Sequence, residues 1–301
     1  MLSNLDPSAQ QFLNGLNRIG NRMSDAQRQI TTGLRVTSVA DDPDQISTLL
    51  TARAHLESAK QIQTNLGRVK GEVDTAEQSL QSAVQLFEQA RTQAAEGNTS
   101  VATAASRAAL RQQIGSILQQ LVGIAGTTVE GRLIFSGDKD QTVPYTIDLT
   151  QTNPVSAYQG SAATRLVEHP NGTTFAVSET AQQIFDSADP TTNVFATLNA
   201  ARNALAANDD TAIQNAVSAF VKTGEYLNSQ LAFYGTVQNK VAEATDFAQT
   251  LQTQLQTQIS GLQDADLTQA ILELNQAQTQ QQAALQARAR VPRTTLFDFL
   301  A

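Results

Sequence analysis

Apolar residues recur along this chain at alternating intervals of four and three. Near the start the series is Phe12, Leu16, Ile19, Met23, Ala26 and Ile30, and near the end it is Leu267, Ile271, Leu274, Leu285 and Ala289. This alternation predicts helices with one apolar seam, as in a coiled coil. A one-sided helix needs a partner to cover that seam. Seams at both ends predict a chain that folds back on itself and then packs against other chains.

Between the ends, Asp42 is placed to cap a helix, Pro43 to take its first position and Asp44 to complement its dipole. Asp41, Asp42 and Pro43 therefore mark a domain-boundary cap. A metal-binding reading of the two carboxylates is less economical, because a hard cation wants six or more oxygen ligands. The helix that follows carries Leu66, Val69, Val73, Ala76, Leu80, Ala83, Phe87, Ala90 and Ala94 on one seam, without proline from Asp44 to Glu96. It would run about 80 Å. Gly97-Asn98 closes it. Leu110, Ile114, Ile117, Leu121 and Ile124 line a return helix, and Asn193 to Ala207 and Val237 to Leu262 are helical again.

From Gly131 to about Asp186 the helical period is lost. Short apolar or β-branched runs at 133–135, 145–147, 164–167 and 173–177 are separated by Pro144, Pro154 and Pro170, with Asn171-Gly172 as a hairpin turn. The expected fold is mainly α with a small β-rich insertion, an elongated helical bundle or rod with coiled-coil-forming terminal helices. Its expected domains are a terminal assembly domain (1–42 plus 262–301), a helical rod (43–130 plus 190–261) and the β-rich insertion (131–189).

Composition narrows the function. The net charge is −8, with 20 Lys and Arg against 28 Asp and Glu. Lacking a basic block, the chain is a poor match for nucleic acid. The absence of Cys excludes disulfides and thiol chemistry, and His55 and His169 alone make a histidine metal site improbable. Nucleotide-binding and zinc-protease motifs are absent, so neither enzyme activity, cofactor nor metal is expected. The start has no basic, apolar leader and no run is long enough to span a membrane. Asn98 and Asn171 match the glycosylation pattern, but a helix stop and a hairpin turn explain both.

Residues 31–43, Thr-Thr-Gly-Leu-Arg-Val-Thr-Ser-Val-Ala-Asp-Asp-Pro, resemble the N-terminal signature of bacterial flagellins and their relatives. Residues 262–267, Leu-Gln-Asp-Ala-Asp-Leu, are similar to the start of that family's C-terminal helix. Gly131 to Gly137, the segment 157–160 and the ending at 296–300 are more similar to the family's hook–filament junction branch than to flagellin itself. The resemblance implies a structural subunit exported without a cleaved signal and located outside the cell in the flagellum. It also implies partners: other copies in a ring, hook-associated protein 1 on the hook side, flagellin on the filament side and an export chaperone beforehand. The seam residues Phe12, Leu16, Ile19, Met23, Ile30, Leu267, Ile271, Leu274 and Leu285, together with Phe297 and Phe299, are the expected assembly interface. The alternatives are a short filament flagellin and a cytoplasmic coiled-coil scaffold.

Overall fold

The computed structural model describes residues 7–290, so Phe297 and Phe299 lie outside the described residues. The elements run α1 (Pro7–Thr32), α2 (Pro43–Gly97), α3 (Ala104–Ala125), β1 (Thr128–Val129), β2 (Arg132–Leu133), β3 (Leu166–Glu168), β4 (Thr174–Ala176), α4 (Ala181–Phe185), α5 (Val194–Ala207), α6 (Asp210–Gln263) and α7 (Leu267–Ala289). The fold is mainly α with short two-stranded sheets. Contacts divide it into two compact units. One comprises residues up to Ser58 and from Leu251 onward; the other runs from Ala59 to Thr250.

The unit from Ala59 to Thr250 holds the main core. The whole seam expected on α2, from Leu66 to Ala94, is buried. It packs with Ile114, Leu118 and Leu121 of α3, Leu198 of α5, and Phe220, Leu227 and Tyr234 of α6. The Phe87 and Phe220 rings lie 4.9 Å apart. Side-chain oxygens start the shorter helices: Thr103 accepts the Ser106 N–H, Thr180 and Gln183 form a reciprocal capping box, and Asn193 accepts the Ala196 N–H at 2.8 Å.

The expected run of strands is reduced to two hairpins. β1 pairs with β2, and β3 pairs with β4 in the register Leu166 with Ala176. The 145–147 run contributes only an isolated bridge between Ile147 and Val155, and Tyr145 is buried against Phe195 instead. The hairpin tip is longer than a two-residue Asn-Gly turn. Gly172 donates its N–H to the His169 carbonyl at 2.8 Å, which places Pro170 at the second position of a four-residue turn. Pro170 suits that position because its φ is already fixed. Gly172 follows at φ +87°, a left-handed conformation that glycine adopts freely.

Glu179, just before α4, is a half-buried liability. One carboxylate oxygen has no hydrogen-bond partner, and burial pushes its pKa up from 4.5 to about 6. Because the folded value is raised, the ionised form is disfavoured in the fold. Stability is therefore lost as pH rises from about 4.5 to 6 and recovered on acidification through that window. Glu179→Gln is expected to stabilise the chain by about 1–2 kcal/mol at pH 7 and to leave it unchanged at pH 4. Thermal melts at the two pH values check this, and an equal gain at both would refute the burial account.

Candidate assembly interface

The terminal unit is built on a joint between α1, α2 and the end of α6. Gly33 ends α1 at φ +71°, with its N–H donated to the Gln29 carbonyl at 2.8 Å. The chain then pairs with the α6–α7 connection. Arg35 and Val36 donate their N–H groups to the Gln263 carbonyl at 2.7 and 3.2 Å, and Ala265 donates to the Gly33 carbonyl at 2.9 Å. Val36 is buried. Gln263 is buried too, and its side-chain oxygen accepts from Arg53 at 2.6 Å.

The Arg35 guanidinium donates to the Leu262 carbonyl at 2.7 Å and to Asp42 at 3.0 Å. The other oxygen of Asp42 accepts the Gln45 N–H at 3.3 Å at the start of α2, where Pro43 is the first helical residue. Asp41 acts on its own loop. One oxygen accepts from the Thr37 N–H, the Thr37 hydroxyl and the Ser38 N–H at 2.7–2.8 Å. The Thr37 backbone bond leads in holding its carboxyl far below the usual carboxylate range. Arg28 adds an ion pair to the other oxygen at 3.2 Å. Among the described residues no group of three or more His, Cys, Asp or Glu could hold a metal ion. Likewise no described helix is long and apolar enough to cross a membrane.

Arg35→Ala is expected to weaken this joint by about 1–3 kcal/mol, the usual range for hydrogen bonds from a charged donor, with its half-exposed side chain placing it toward the lower end. Amide exchange at Arg35, Val36 and Ala265 should accelerate about tenfold or more. Unchanged protection at these three amides would show that the backbone pairing stands without the guanidinium.

Beyond the joint, Asp266 caps α7 by accepting from the Thr268 and Gln269 N–H groups at 2.9 and 3.1 Å. This is why the helix begins at Leu267. The packing of α7 on α1 is closed by small residues: Ala26 is 3% exposed, Ala270 3% and Ala277 0%. Phe12, Leu16, Ile19, Met23 and Ile30 of α1 are half-buried. On α7 the half-buried positions Leu274, Gln281 and Ala284 continue the alternation of Ala270 and Ala277. Arg22 reaches across to Glu273 at 2.8 Å, and Arg288 lies 5.7 Å from the centre of the Phe12 ring.

The larger α7 residues Leu267, Ile271 and Leu285 fall on a neighbouring stripe and are 47–50% exposed. Two apolar faces therefore share one helix. The alanine face meets α1, and the leucine–isoleucine face meets solvent. Ala270 and Ala277, seven residues apart, are one heptad repeat in the sequence. Gln278 is exposed, whereas Gln281 is half-buried.

Two family models match the chain. The bacterial flagellin N-terminal helical region covers residues 4–140, and the bacterial flagellin C-terminal helical region covers 211–300. A curated relative, Flagellin A of Rhizobium meliloti (strain 1021), is 28% identical over 118 residues, which are 39% of this chain and 29% of the relative. The alignment thus spans less than a third of that flagellin's length. In fold, the chain is similar to flagellar hook-associated protein-3 from Legionella pneumophila (TM-score 0.62, 12% identity, 70% of this chain and 98% of the other). It is also similar to FlgL from Xanthomonas campestris (TM-score 0.59, 14% identity, 70% and 99%).

Proposed function

The chain belongs to the bacterial flagellin family, and on that premise we propose that it is a structural subunit joining the flagellar hook to the filament. The observation that carries this reading is the second apolar face of α7. Leu267, Ile271 and Leu285 stay about half-exposed after α7 has packed on α1. A stripe of three large aliphatic side chains on an otherwise Gln- and Ala-rich helix fits an interface between subunits. Covering one such side chain fully is worth about 1.5–3 kcal/mol, so neighbours supply what the alanine-lined pair lacks.

On this reading Phe12, Leu16, Ile19, Met23, Ile30, Leu267, Ile271, Leu274 and Leu285 contribute to packing between copies. The partners are further copies in a ring, hook-associated protein 1 on the hook side and flagellin on the filament side. An export chaperone holds the chain before it leaves the cell unfolded, and its place of work is the extracellular flagellum. The chain carries out no chemistry. A junction role is favoured over a filament role by the extent of the likeness in fold. The hook-associated protein-3 structure is matched in fold over 98% of its length, with a TM-score of 0.62.

The test is assembly of the purified chain. It is expected to add to isolated hooks bearing hook-associated protein 1, to seed flagellin filaments there, and to form no filament alone. A long filament grown from this chain by itself would overturn the junction role in favour of a short flagellin. An ordered soluble dimer that ignores hooks would favour a scaffold.

A further inference from the structure

Arg202 on α5 is 4% exposed and has no ion pair among the described residues. The contrast with Arg107, also buried, is direct: that guanidinium pairs with Asp210 at 2.5 Å and donates to the Gly97 carbonyl at 3.0 Å. Arg202 donates only to neutral oxygens, Asn199 Oδ1 at 3.0 Å and the Leu149 carbonyl at 2.5 Å. An arginine carries five N–H donors, so these two bonds leave capacity over. A buried charge without a counter-ion is disfavoured. Burial lowers its pKa, and the nearby Arg111 lowers it further.

These two arginines line one hollow of about 270 Å³ between α3, α5 and the loop at Leu149, with Ser116 on its α3 wall. Arg111 is exposed and has no ion pair or hydrogen bond among the described residues. Asp148, beside Leu149, engages the Thr150 N–H and hydroxyl at 3.0 and 2.7 Å and not the arginines. A chain of net charge −8 thus keeps an uncompensated positive pair in a concave site. We propose that this hollow binds a carboxylate, held by the planar fork of Arg202 and screened from solvent by Arg111. A carboxylate matches a guanidinium in plane and supplies the missing counter-charge. It can come from a small free acid or from an Asp or Glu side chain of a second copy of the chain.

The test uses the full chain, with the arginine Nε–H resonances followed by NMR while sodium malonate is added against sodium chloride of equal ionic strength. The expected result is a saturable shift of the Arg202 resonance with malonate and none with chloride. Arg111→Ala should keep the wild-type melting temperature and bind malonate at least tenfold more weakly. If the carboxylate belongs to a second copy, the wild-type chain self-associates at high concentration, malonate reverses this, and Arg111→Ala does not associate. The proposal is overturned if neither saturable malonate binding nor malonate-sensitive association occurs. It is equally overturned if phosphate saturates the site where malonate does not, or if Arg111→Ala behaves as wild type in both assays.

Discussion

Ala277→Arg is expected to abolish incorporation into the flagellum while leaving the unit from Ala59 to Thr250 at its wild-type stability. Ala277 is completely buried where α7 meets α1, flanked one heptad away by Ala270. These small side chains set how closely the two helices approach. An arginine there must either separate the helices or bury its charge. Overpacking alone costs about 1–3 kcal/mol, and an unpaired buried charge adds several more. The helix pair has little to offset this, because its larger residues are only half-buried. The check is complementation of a strain lacking the protein, with amide exchange on the purified variant. Loss of motility with new exchange confined to α1 and α7 is the expected outcome. A variant that assembles normally would show that the alanine contact does not set the assembling conformation.

Phe87→Ala is expected to act in the other unit. Its ring is 1% exposed and packs at 4.9 Å on Phe220 across the α2–α6 contact. Removing a fully buried phenylalanine costs about 3–5 kcal/mol. For a unit of this size that lowers the melting temperature by about 10 °C. A thermal melt followed by circular dichroism measures it directly. A shift of less than 2–3 °C would mean that the core collapses around the vacancy. Compared side by side, the two variants separate a chain that folds but does not assemble from one that assembles only while it remains folded.

The seam of α2 was legible because Leu66, Val69, Val73, Leu80 and Phe87 anchor a four-three alternation that alanines continue for about eight turns, and every expected position from Leu66 to Ala94 is buried. The first half of α6 was not. Phe220, Leu227 and Tyr234 stand seven apart there, with Thr223 and Gly224 between the first two and Gly235 after the third, so the apolar signal is diluted. Thr223 is fully buried, yet its hydroxyl is bonded to Thr197 and to the Thr191 carbonyl, a pairing that no local window contains.

The terminal helices show a different limit. Periodicity finds large residues first, and on α7 these trace the outward stripe of Leu267, Ile271 and Leu285. The face that meets α1 is marked by alanines, which carry little hydrophobic contrast. Gln263 and Arg35 were equally invisible as partners, because the contacts that define them join residues more than 200 positions apart. The signature residues 31–43 were recognisable as a pattern. Their physical purpose, closing the joint between two helix ends and a third helix start, required the fold.

The hairpin tip from His169 to Thr173 has a practical consequence. Its bonds are local: His169 and Thr173 close the loop at 2.7 Å, Gly172 returns to His169, and Asn171 accepts the Thr173 N–H at 3.0 Å. Cutting the chain there and splicing in a foreign peptide disturbs these bonds and the packing of the His169 ring on Phe247, 5.2 Å between centres, and the entropy of closing a longer loop grows slowly with its length. That tip is a site for displaying an epitope or an affinity tag, and a labelled copy would report on where the subunit stands in the flagellum.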